Sequence, residues 1–148
     1  MSISGKIADD FKEALKTGKK SKLSVLRLIK SAMKNQEIEK RASLTDEDVY
    51  AILRSYVKRS RESIEQFSKA GRTELVEKEK EELSIVQGYL PEQLGENELR
   101  KIIKDLIEEA GASGPGDMGK VMKSVMAKVK GQADGRLVNA IVREMLEA

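Results

Sequence analysis

From Asp117 to Leu146 the sequence DMGKVMKSVMAKVKGQADGRLVNAIVREML admits essentially one kind of local structure. Met118, Val121, Met122, Val125, Met126 and Val129 recur at i, i+3, i+4, i+7, i+8 and i+11, the spacing that lays one apolar stripe along a helix. Asp117 stands ahead of the stripe as a candidate N-cap, and Gly131 follows it as a stop. Asp134 is placed to cap a second helix with Leu137, Val138, Ile141, Val142, Met145 and Leu146 as its apolar positions. The spacing therefore predicts a helical hairpin. At about 100° per residue, Lys120, Lys123 and Lys130 share an arc beside the stripe and are expected close to the turn KGQADGR. The hairpin should carry a basic tip, and the helix after Asp134 should add unpaired backbone N–H groups that favour an anion.

The same period runs through the rest of the chain. Ser4 is placed to cap a first helix with Ile7, Phe11, Ala14 and Leu15 on one face, ending near Gly18. A second helix is expected from Ser21 to about Arg41, with Val25, Leu26, Ile29, Met33 and Gln36 inward. On its outer side Arg27, Lys30, Lys34 and Arg41 fall within an arc of about 60°, spread over roughly 21 Å of axis. Thr45-Asp46-Glu47-Asp48 approximates a capping box, with Asp in place of the usual Glu or Gln. The third helix that it opens carries Val49, Leu53, Tyr56, Val57, Ser60, Ile64 and Phe67 as its stripe, and Gly71 ends it. Thr73 is placed to cap a fourth helix with Leu75, Leu83 and Val86 inward. Its Glu74, Glu77, Glu79, Glu81 and Glu82 read as a solvated face, with Lys78 and Lys80 as i,i+4 partners. Pro91 cannot continue a helix and pushes Leu90 out of the α region. Beyond it a fifth helix is expected over about 96–109, with Leu99, Ile102, Ile103, Leu106 and Ile107 inside. The expected fold is all-α, with an N-terminal domain of about four helices over 1–91 and a C-terminal three-helix domain over 92–148.

The strings MGKVM and KVKGQADGRLVNAIV resemble the tail domain of the B subunit of glutamyl/aspartyl-tRNA amidotransferases and the free-standing YqeY proteins that share it. The upstream strings RLIKSAMKNQEIEKR, SIEQFSKAGRTEL and GYLPEQL are of the free-standing type, so the resemblance covers essentially the full chain. It implies an all-helical protein connected with tRNA. In the amidotransferase the tail helps to hold tRNA, while ammonia delivery and ATP-dependent activation of a carboxylate lie outside it.

Composition narrows the chemistry. The chain has no histidine and no cysteine, which removes Ser-His and Cys-His nucleophiles and the usual zinc ligands. The segment Gly114–Val121, GPGDMGKV, fits G-x-x-x-x-G-K but places Val121 where a P-loop needs Ser or Thr for magnesium. No catalytic residue, metal site or cofactor is expected. Aromatic residues make up 3% of the chain, too few for the stacking platforms of single-strand binders, so any RNA partner should be a folded one read through its backbone. The net charge of +3 is unevenly placed. Residues 1–42 carry 11 basic and 5 acidic side chains, residues 43–113 carry 11 and 16, and residues 114–148 carry 6 and 4. No membrane span is expected, and the lack of cysteines and of a signal-peptide h-region fits a cytoplasmic protein.

The favoured function is a non-catalytic module that binds or handles tRNA, through Lys120, Lys123, Lys130, Gln132 and Arg136. Arg27, Lys30, Lys34 and Arg41 form a possible second RNA surface. A rival reading is a protein–protein adaptor that docks on an aminoacyl-tRNA synthetase or amidotransferase. A weaker one is an accessory to a carbon–nitrogen ligase that uses glutamine as amide donor.

Overall fold

A computed structural model describes residues 2–147, and among these the chain is all-helical with no strand. The helices are α1 (Ile3–Thr17), α2 (Lys20–Lys40), α3 (Asp46–Lys69), α4 (Thr73–Gln87), α5 (Glu96–Ala110), α6 (Met118–Val129) and α7 (Gly135–Glu147), with a single 3-10 turn at Pro115–Asp117. The chain divides between Leu90 and Pro91 into two compact units.

In the first unit the helix starts follow local hydrogen bonding. Ser2, not Ser4, caps α1: its side chain accepts from the Gly5 N–H at 3.1 Å. The earlier start places Ile3 four residues before Ile7 on the same face, and both are buried. Thr45 and Asp48 close a complete capping box at α3, each side chain accepting the other residue's backbone N–H. Thr73 lies inside the first turn of α4, and Arg72 takes the cap position without a side-chain bond. The core gathers Ile3, Ile7, Val25, Leu26, Ile29, Val49, Leu53, Val57, Val86 and Tyr89. Tyr89 donates its hydroxyl to the Asp10 carboxylate, which anchors the end of this unit to α1. Leu15, expected inward, is half-exposed near the end of α1.

The second unit packs α5, α6 and α7 around Leu99, Ile103, Val121, Val125, Val129, Val138, Ile141, Val142 and Leu146. The valines of α6 are buried, and Met118, Met122 and Met126 flank them half-buried, so the stripe forms one side of the core. Leu137 departs from its expected place and is 39% exposed. Arg100 on α5 reaches Glu96 at 3.2 Å and Glu144 on α7 at 3.0 Å. The turn of the hairpin is braced from the segment before α5. The Leu94 N–H donates to the Gln132 carbonyl at 2.8 Å, and Gln93 Nε2 donates to the Gly131 carbonyl at 2.8 Å.

Candidate functional site

The hairpin positions its basic residues as a stripe rather than as a single tip. Lys120 lies in the first turn of α6, roughly 15 Å along the axis from Lys130, and Lys123 lies roughly 10 Å from it. Expecting both beside the turn neglects the 1.5 Å rise per residue, although the arc itself is kept: the three lysines fall within about 80°. Lys130 is the C-cap of α6, with φ 24, and Gly131 follows at φ 79 in the left-handed region that glycine tolerates. This pair turns the chain so that Arg136 sits in the first turn of α7. Lys120, Lys123, Lys130 and Arg136 are all exposed. None of them forms an ion pair among the described residues. Gln132 is half-buried, and its backbone is spent on the turn, donating to Val129 and accepting from Leu94.

The start of α7 is less open than expected. Asp134 accepts the Arg136 N–H at 3.0 Å through its carboxylate, and its carbonyl takes the Val138 N–H. A negative charge therefore already sits where a phosphate would approach. Arg143, absent from the sequence-derived candidates, stands seven residues after Arg136 on the same face of α7 and is exposed.

On α2, Arg27, Lys30 and Lys34 are exposed along one side, and Arg41 is the left-handed C-cap just past the helix. Lys30 is partly engaged: its ammonium lies 4.4 Å from the centroid of the Phe11 ring. Lys40, not among the candidates, pairs with Asp48 and joins the end of α2 to the start of α3. In the GPGDMGKV segment Asp117 accepts the Ser113 N–H at 3.1 Å, and the 3-10 turn Pro115–Asp117 runs directly into residues 118–121 at the start of α6.

The acidic face of α4 is only partly solvated. Glu74, Glu77 and Glu81 are exposed, but Glu82 is 7% exposed and accepts the Tyr56 hydroxyl at 3.2 Å. Glu79 is half-buried and accepts from Ser60 Oγ at 2.9 Å. Burial first, then the charge and hydrogen bond of Glu82, hold the Tyr56 phenol far above its ordinary range, so it stays a donor.

Among the described residues the structure defines two helical units, the second a three-helix module edged with cations that form no ion pair, and no group of acidic side chains is clustered to hold a metal ion. The chain belongs to the family of Yqey-like proteins, whose model matches residues 4–146. It is 33% identical over 142 residues to the mitochondrial "altered inheritance of mitochondria protein 41" of Pyrenophora tritici-repentis, covering 94% of this chain and 78% of that one. It is 30% identical over 147 residues to the E subunit of the glutamyl-tRNA(Gln) amidotransferase of Thermococcus gammatolerans, covering 93% of this chain and 22% of that protein. Against its counterpart from Thermococcus sibiricus the identity is 41% over 58 residues, 36% of this chain and 9% of that protein. The chain thus spans most of the fungal relative but less than a quarter of either archaeal one.

One expectation is overturned. The cytoplasmic location expected from the sequence is not upheld by the fungal relatives, which are named as mitochondrial proteins. Cysteine content does not discriminate between cytoplasm and mitochondria.

Proposed function

We propose that this chain is a tRNA-handling module without turnover of its own, and that it holds folded RNA through the basic edge of the α6–α7 hairpin. The observation that carries this reading is the set of four exposed cations, Lys120, Lys123, Lys130 and Arg136, with no acidic partner among the described residues. Cations without ion-pair partners, carried by the two helices of one hairpin, suit a phosphate backbone. The archaeal relatives, named as components of a glutamyl-tRNA(Gln) amidotransferase, support tRNA as the folded RNA.

The test is the salt dependence of binding to folded tRNA. Three or four neutralised phosphates give log K against log salt a slope of about −2 to −4. Each single Lys→Ala change should reduce the slope by about one and weaken all tRNAs alike, with fold stability held within about 0.5 kcal/mol. Arg27→Ala with Lys34→Ala tests the rival surface on α2; Lys30 is left in place because of its contact with Phe11. Loss of binding in that pair, with the hairpin variants unaffected, would move the site to the N-terminal unit. A salt-independent association would favour the adaptor reading instead. Absence of turnover is checked by mixing the protein with ATP, glutamine and misacylated tRNA; amidated tRNA formed without another protein would overturn it.

A further inference from the structure

A cleft of about 410 Å³ opens between α2, α3 and α4, within the size range of small-molecule sites. One wall is apolar, built from Leu28, Ile29 and Ile52. Leu28 lines the cleft and is 57% exposed. The other wall carries Glu79 and Glu82, one turn apart on α4. Their observed donors are the neutral hydroxyls of Ser60 and Tyr56. Among the described residues no Lys or Arg forms an ion pair with either carboxylate. Glu82 is nevertheless more than nine-tenths buried.

Each carboxylate accepts one observed hydroxyl and has acceptor positions to spare, and the two stand three residues apart on one side of α4. Arg59 lines the same cleft without pairing to either acid. A hydrated metal ion would gain nothing from the apolar wall, whereas an alkyl chain bearing an ammonium group matches both walls together. We propose that the cleft is a binding site for a small organic ammonium, its charged head on Glu79 and Glu82 and its alkyl body against Leu28, Ile29 and Ile52. The site lies in the first unit and is independent of the RNA reading.

The experiment is an amide NMR titration of the full chain with hexylammonium, with hexanol and hexanoate as neutral and anionic controls. Hexylammonium should give saturable shifts confined to residues 28–32, 52–60 and 79–82, hexanol should bind about tenfold more weakly, and hexanoate should not bind. Glu82→Gln keeps an acceptor for Tyr56 and should lower hexylammonium affinity about tenfold while leaving hexanol unchanged. Glu79→Gln, at a less buried position, should do the same and decides the matter if Glu82→Gln does not fold. Arg59→Ala removes a competing cation and should strengthen binding. The proposal is overturned if hexylammonium gives no saturable shifts, if the three probes bind alike, or if the glutamine variant that folds binds hexylammonium as the wild type does. Weakened hexylammonium binding in Arg59→Ala would equally overturn it, because removing a nearby cation can only strengthen an ammonium held by the charge of Glu79 and Glu82.

Discussion

At Asp48 one carboxylate completes the capping box of α3 and also receives the ammonium of Lys40 from the end of α2. The Lys40 hydrogen bond first, and then the Thr45 backbone N–H, hold its carboxyl below the ordinary carboxylate range. A carboxyl depressed in the folded state stabilises the protein above its unfolded pKa, and that contribution is lost as pH falls through the folded value. Asp48→Asn should therefore cost about 1 kcal/mol at neutral pH. Urea titrations should show the gap from wild type narrowing as the pH is lowered through and below about 4. A gap that stays constant with pH would mean that the lost stability comes from capping geometry and not from the charge. The box itself is legible in Thr45-Asp46-Glu47-Asp48, because all its bonds close within four residues. The Lys40 partner is not, because it needs the turn that follows α2 to bring the two helix ends together.

The same contrast between near and distant partners governs the elements. Every position of the α6 stripe lies within twelve residues, so periodicity alone places Val121, Val125 and Val129 in the core. Glu82 looks solvated in the sequence because its partner, Tyr56, lies 26 residues earlier and only the packing of α3 on α4 joins them. Ser2 escapes notice as the cap of α1 because Ser4 meets the same local rule two residues later. On the hairpin the cations are legible, but Asp134 as their local opponent is not, since its carboxylate already caps α7. Asn is as good an N-cap as Asp and carries no charge. Asp134→Asn should thus leave the thermal midpoint nearly unchanged and tighten tRNA binding several-fold at low salt, with the gain fading as salt is raised. Unchanged affinity at low salt in this variant would place the RNA contact away from the start of α7.

At the scale of the molecule, each unit closes its own core: no residue of the cluster around Leu53 comes from beyond Leu90, and none of the cluster around Val125 comes from before Pro91. The fragment 92–148 should consequently show a cooperative thermal transition by itself, although a unit of this size is only marginally stable. A fragment unfolded at room temperature would show that it depends on the rest of the chain. Leu53→Ala, at a fully buried site, should cost about 2–5 kcal/mol in the first unit and leave the exchange protection of the α6 and α7 amides intact. Separate cores also have a genetic consequence. If the hairpin holds tRNA as proposed, a lesion that unfolds only the first unit would leave a second unit still able to occupy tRNA. Such an allele would compete with the intact protein and behave as dominant, whereas one that destroys the hairpin would simply withdraw a copy and be recessive.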